Sequence, residues 1–496
     1  MVSLTDHTKS LTYWSYCKLY SIYSIPMNLQ RSTIAVFGST LIRNIASFLA
    51  IAVFSRSVGV AGLGSFFLFQ SVLSMVSLPV DMGIRRGIEK RLSEGKPAGE
   101  TVSTGLTMKL VLLAIFLVPI VLFQEPLNSY IGAEVSYLLG IGLILYELGG
   151  VGKFTLRGEL RVTESAIFAP LQTILWAIGG WIFIQIGFSE IALFWAYLLG
   201  LAGVLVLSWI LIDTRLSAPS LSRAKSLFGY SKFAAIGSVG GVIYSWTDVI
   251  LLGFFISQEA VGAYEVAWKV AAVSLLLSQA IRSAIFPSAN QWGAENDFVR
   301  LEELIERTFV PSLYLVIPAF IGGIILGDEI LDLWFAVQYP LIYLVIIGLL
   351  FEKLQRAILL PLIAPMHAVG HVDYGAYTTI IGVVVNITAN LALIPPFGVA
   401  GAALGTTLGA FANTASHAWL LSTELDIRFP LKAISWLVVS AILMGVGVYS
   451  ITSLLDEIGQ LSLGVIIAGG AALYGVISLA SPTIRSEIKS TVNAIT

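Results

Sequence analysis

Charge is scarce in this chain. Only 12% of its 496 residues are Asp, Glu, Lys or Arg, while 57% are hydrophobic. Soluble globular chains carry about 25% charged and about 45–50% apolar residues. Too few polar groups remain to cover a water-facing surface, which excludes a soluble domain and makes lipid the expected solvent. Cysteine is almost missing as well. Cys17 stands alone, so no intrachain disulfide forms, and no Cys/His metal site has the ligands it needs. Long polar loops are absent too. Membrane-embedded glycan polymerases, ligases and glycosyltransferases need an aqueous domain or a long loop carrying acid and base residues, and no paired, catalytic-looking acids stand in the short outer connectors. The expectation is a protein that is not an enzyme and uses no cofactor and no metal.

Continuous apolar runs are what the chain has in abundance. Leu110 to Phe123 is one of them, and it shows none of the alternation of a barrel strand. Helices satisfy their own backbone polar groups in hydrocarbon, so an all-α, polytopic transmembrane bundle is expected. Fourteen runs are readable: 33–56, 64–82, 106–123, 136–154, 166–187, 190–212, 231–256, 262–285, 308–326, 341–363, 374–394, 398–421, 431–453 and 460–480. Glu147 interrupts the fourth, and Pro361 and Pro365 break the tenth. Residues 1–26 are polar and aromatic with no apolar core, and read as a tail rather than a signal peptide.

Lys and Arg in short loops mark the cytoplasmic side. Arg85, Arg86, Lys90, Arg91 and Lys96 follow the second run, and Lys153, Arg157 and Arg161 the fourth. Later loops of the same parity take Arg215, Arg300, Arg307, Lys353, Arg356 and Arg428, whereas the opposite loops carry acids such as Glu125, Glu259 and Asp328. This alternation predicts an even number of spans in the cell membrane, with both termini cytoplasmic. The basic loop Arg85 to Lys96 reads as an anchor to anionic headgroups.

An internal repeat adds two lobes. Ser57 to Phe66 aligns without gaps to Phe255 to Tyr264, placing Gly64 opposite Gly262 at equivalent outer turns, six spans apart. Parallel repeats of this kind typify alternating-access transporters, with the site between lobes. The expected organisation is a tail at 1–30, an N-lobe at 31–215, a C-lobe at 225–422, two further spans at 430–481 and a tail at 482–496.

With these pieces in order, the chain resembles the polysaccharide transporters of the O-antigen flippase type, within the multidrug/oligosaccharidyl-lipid/polysaccharide exporter superfamily. The resemblance rests on Gly59 to Phe66 with Asp81-Met-Gly83, on Asp248 to Gly253 running into Glu259 to Tyr264, and on Asn386 to Pro395 followed by Phe397 to Gly401. It implies two six-helix bundles and movement of a lipid-linked oligosaccharide from the cytoplasmic to the outer leaflet. Drug and peptidoglycan-precursor exporters of the same superfamily are the alternatives. Membrane lipids, and other glycan-assembly proteins, are the implied partners of a monomer that binds no nucleic acid.

Such a cargo bears an anionic phosphate or diphosphate, so charges inside spans are the candidates to bind it. Arg43 sits mid-span and reads either as a phosphate ligand or as the partner of Glu147. Asp248 and Lys269 lie at similar depths either side of an outer turn and are expected to meet, with Glu265 and Lys269 paired at i,i+4. The trio reads as a structural cluster, or as a switch coupled to a proton or cation. Arg56, alone at an outer turn, either snorkels to lipid phosphates or lines the exit. Asn386 and Asn390 share a helix face and are expected to serve packing, while His367 and His371 flank Gly370 in a predicted loop.

Overall fold

The computed structural model describes residues 26–487, so most of the two expected tails, 1–25 and 488–496, lies outside the described residues. No strand occurs among the described residues. The N-lobe comprises α1 (Pro26–Ser57), α2 (Gly59–Asp81), α3 (Ile84–Ser93), α4 (Ala98–Leu122), α5 (Ser136–Gly158), α6 (Phe168–Gln185) and α7 (Ala192–Leu211). The C-lobe comprises α8 (Leu221–Phe255), α9 (Gln258–Ala272), α10 (Leu276–Ala294), α11 (Phe298–Leu313), α12 (Val316–Phe335), α13 (Ile342–Ala368) and α14 (Val372–Leu421). Two last helices, α15 (Leu431–Thr452) and α16 (Gln460–Ser478), pack on α12 through Leu437, Met444 and Val448.

Among the described residues, eleven helical segments are long and apolar enough to cross a membrane. α13 is equally long and continuous through Pro361 and Pro365, where the sequence suggested a break, but it carries Glu352, Lys353 and Arg356 at its middle. Of these, Lys353 and Arg356 were expected in a loop. α14 is two antiparallel passes, because Gly398 takes the left-handed φ of 56° after Pro395 and Pro396 and turns the chain back. The two runs expected at 374–394 and 398–421 are its two halves.

The packing is inverted relative to a soluble protein. On α4, Lys109 is fully buried while Val121 is 67% exposed. Outward-facing Leu110, Val111, Ile115 and Val118 present hydrocarbon to hydrocarbon, so the hydrophobic effect holds the helix in lipid rather than to its neighbours. The amphipathic α3 differs. It buries Ile84, Ile88 and Leu92 and leaves Arg86 and Lys90 outward, the pattern of a helix lying at an interface.

The two lobes meet where the repeat placed its glycines. α2 crosses α9 so closely that a Cβ on Gly64 would stand 1.7 Å from the Gln258 carbonyl oxygen. A Cβ on Gly262 would stand 1.9 Å from that of Val60. The contact is reciprocal, as a two-fold axis between the lobes demands, and it closes the face that carries the acidic loops. Gly64→Ala should therefore force the helices apart at a cost of about 1–3 kcal/mol. In detergent the melting temperature should fall, whereas Gly322→Ala, with no atom within 4 Å of the new Cβ, should leave it unchanged.

Candidate functional site

Four charges are locked together inside the N-lobe. Arg85 Nε lies 2.9 Å from Asp81 Oδ1, one helical turn away. Lys109 Nζ reaches Asp81 at 2.5 Å and also bonds Glu147. Arg85 Nη2 stands 3.6 Å from Glu147, whose Oε1 accepts from Ser77 at 2.6 Å. Two acids thus neutralise two bases and tie α2, α3, α4 and α5 into one body. This corrects two expectations. Glu147 is not the partner of Arg43, and Arg85 is a buried pairing residue rather than a headgroup anchor. Lys109 went unnoticed in the sequence because it stands in an apolar run on a helix distant in sequence from both acids.

Beside this quartet, two contiguous cavities of about 620 and 400 Å³ open between the lobes. They share Arg43, Gln70, Gln172, Tyr197 and Lys269. The larger reaches the helix ends next to the basic loops, at Gly83 and Arg86, and the smaller runs towards Ile51, Phe66 and Trp176. Arg43 bonds only its neighbour Asn44, at 3.3 Å. Arg86 and Lys153 line the larger cavity and form no ion pair with any described carboxylate. With the quartet neutral, Arg43, Arg86 and Lys153 give the chamber an uncompensated positive charge, and Gln70, Gln172 and Thr173 add neutral hydrogen-bonding groups.

The C-lobe residues are arranged differently from expectation. Asp248 does not meet Lys269. It is buried, and its carboxylate accepts from Tyr264 Oη at 2.7 Å, Asn386 Nδ2 at 3.3 Å, Asn390 Nδ2 and Thr406 Oγ1. No formal cation stands among these partners. Asn386 Oδ1 and Asn390 Oδ1 are buried without a hydrogen-bond partner, so the two asparagines do more than pack. Lys269 and Glu265 do pair, at 3.6 Å. Trp268 receives the ammonium of Lys269 at 4.8 Å and that of Lys353 at 4.6 Å from its ring centroid, while Lys353 bonds its neighbour Glu352. Arg56 is exposed and lines neither cavity of the chamber. It donates to the carbonyls of Leu333 and Trp334 at the end of α12, where the helix dipole favours a cation. His367 belongs to the last turn of α13 rather than to a loop.

Comparisons with known proteins follow the same lines. A family profile described as "Polysaccharide biosynthesis protein" matches residues 53–343, and one described as "Lipid II flippase MurJ" matches residues 233–468. The chain is 36% identical over 461 residues to the "Probable low-salt glycan biosynthesis flippase Agl15" of Haloferax volcanii, covering 92% of this chain and 97% of the relative. It is 26% identical over 473 residues to the "Probable flippase AglR" of the same organism, covering 93% and 98%. Among solved structures, a lipid II flippase MurJ in an inward closed conformation matches with a TM-score of 0.74 at 14% identity, over 90% of this chain and 98% of that one. An inward-facing multidrug transporter of the MATE family matches with a TM-score of 0.62 at 16% identity, over 77% and 96%. At such identities the structural likeness shows the fold alone.

Removing one partner from a buried charge cluster leaves the others uncompensated, at a cost of about 3–5 kcal/mol. Lys109→Met should accordingly strip most of the folded protein from the membrane or lower its melting temperature by many degrees. Arg43→Gln, which breaks no ion pair, should melt as the unaltered protein does. Equal melting of both variants would contradict the structural role given to the quartet.

Proposed function

The chain belongs to the polysaccharide biosynthesis protein family, and on that premise we propose that it is a flippase, not an enzyme, which carries a lipid-linked glycan across the membrane. The observation that carries this reading is the set of unpaired cations, Arg43, Arg86 and Lys153, around one chamber between the lobes. A mid-membrane arginine costs about 2.5–3.5 kcal/mol on insertion scales unless water or an anion faces it. Hydration offsets this cost in the empty chamber, and a phosphate or diphosphate offsets it in the loaded one. Charge-assisted bonds from guanidinium to phosphate are short and often two-pronged. The sugars meet Gln70, Gln172 and Tyr197, and the lipid chain stays in hydrocarbon.

The basic loops put the chamber's mouth on the cytoplasmic side of a fourteen-span monomer in the cell membrane, with both termini cytoplasmic. The paired glycines close the opposite face. Rocking of the lobes about that contact exchanges the open side, and the glycan leaves in the outer leaflet. Asp248 supplies coupling. Its carboxylate has neutral donors only, and a half-turn of Asn386 or Asn390 brings an amide oxygen where an amide nitrogen stood. The cage then accepts a monovalent cation or a proton.

Two experiments test these assignments. In cells lacking the gene and any redundant transporter, lipid-linked glycan should collect in the inner leaflet and its surface display should fall. The unaltered gene should restore display, and Arg43→Gln combined with Lys153→Gln should restore less than about a tenth of it, since bonds to charged groups are worth about 1.5–3 kcal/mol each. Unchanged display in the deleted cells would sink the reading. In proteoliposomes, a Na+ or a pH gradient should drive transport by the unaltered protein, and Asp248→Asn should abolish the response to that gradient. A variant that responds normally would remove Asp248 from coupling.

A further inference from the structure

A second cavity, of about 460 Å³, lies within the C-lobe between α8, α10, α13 and α14. It shares no lining residue with the chamber already described. Arg282 and Arg356 both line it, and neither forms an ion pair with any described carboxylate. No Asp or Glu lines it at all. Arg356 has only the Tyr244 ring, 6.0 Å from its guanidinium carbon. The other polar groups there are donors or neutral amides and hydroxyls, among them His367, Thr379 and Asn413. His417 is already committed, with Nε2 3.3 Å from the Leu362 carbonyl and Nδ1 3.2 Å from Thr378 Oγ1.

Arg282 and Arg356 each stand twelve residues before the end of their helices at Ala294 and Ala368. Two guanidinium groups facing one cavity without a counter-charge are arranged for an oxyanion. Their places repeat those of the N-lobe. There the second and fourth long helices, with the short helix that continues the second, supply Arg86 and Lys153 to the chamber. Here the corresponding pair supplies Arg282 and Arg356.

We propose that the C-lobe cavity is a second oxyanion-binding site, at Arg282 and Arg356, which holds an acidic group of the translocated lipid-linked glycan apart from the group held in the chamber between the lobes. The inference rests on the flippase reading for the identity of the cargo, but binding at the cavity is measurable without transport. Two sources carry the required chemistry: the phosphate of the lipid carrier, and a carboxylate or sulfate on the sugars. An oxyanion presents at least two acceptor oxygens, so two planar guanidinium forks can share it.

The test uses the purified full-length protein in detergent, with polyprenyl phosphate and a glucuronate-containing disaccharide as separate probes. Calorimetry should show that Arg282→Gln with Arg356→Gln weakens at least one probe about tenfold, the loss expected for a charge-assisted bond. Loss of polyprenyl phosphate binding assigns the site to the carrier, and loss of disaccharide binding assigns it to an acidic sugar. Binding of both probes unchanged by the double variant would overturn the proposal. A second measurement needs no variant. Phenylglyoxal should label Arg282 and Arg356 in the unaltered protein, and the bound probe should protect both by several-fold. Labelling that no probe diminishes would also overturn it. The flippase reading fails separately, through glycan display in the deleted cells.

Discussion

Lys109 places an ammonium inside a membrane-spanning bundle, and the N-lobe is organised around keeping it there. Asp81 and Glu147 reach it from two other helices, and Arg85 completes the balance. Coulomb attraction in a low-dielectric interior is strong but only repays desolvation when the geometry is tight and the spare lone pairs are bonded. Ser77 supplies that last bond. A neutral quartet has a second consequence. Because its charges cancel, the chamber beside it has the positive charge of Arg43, Arg86 and Lys153 and little else.

The two lobes share one plan, and both pair acids with bases, the quartet in the N-lobe and Glu352 with Lys353 in the C-lobe. They differ at Asp248. The C-lobe surrounds Asp248 with neutral donors and leaves two amide oxygens free, so the carboxylate remains available to a positive guest. Buried ion pairs are rigid and discharge nothing. A caged carboxylate has two states, filled and empty, and is suited to sensing. The division gives one lobe a fixed electrostatic frame and leaves the other a carboxylate without a formal counter-charge.

Much of this was readable in the residues, and the limits have a geometric cause. Gly64 and Gly262 were found because a turn, a parity and a spacing coincide, and their close contact follows from the lobe symmetry those features imply. Arg43 was found because hydrocarbon penalises it. Depth along a helix is also readable, at a fixed rise per residue, and Asp248 does meet the neighbouring helix, though at Tyr264. Direction is not. Tyr264, which meets Asp248, and Lys269 are five residues apart on one helix, roughly 140° around it, so Lys269 looks elsewhere. Lys353 and Arg356 fit the parity of the basic loops, yet they stand inside α13. Cavities inside each lobe make that rule fail, since a water-filled space admits charge at any depth. Lys109 and Glu147 come together only through three-helix packing, which no periodicity along one helix reveals.

The closed face shows how such a molecule can still move. Backbone meets backbone at the paired glycines, and around them Leu63, Phe66 and Leu68 share one buried apolar cluster with Leu252, Val261 and Val266. The polar contacts between lobes on that side are few. Gln258 donates to the Tyr130 carbonyl at 3.2 Å, Tyr130 donates to the Ile250 carbonyl at 2.8 Å, and Arg56 caps the end of α12. At about 0.5–1.5 kcal/mol net for each bond, the whole set amounts to a few kcal/mol. A full shift between two states takes about 5.5 kcal/mol of differential binding. One phosphate held by two or three cations provides free energy of that order. The cargo's binding free energy is therefore comparable with the polar part of the seal, while the apolar cluster that both lobes share adds to what must be offset on opening.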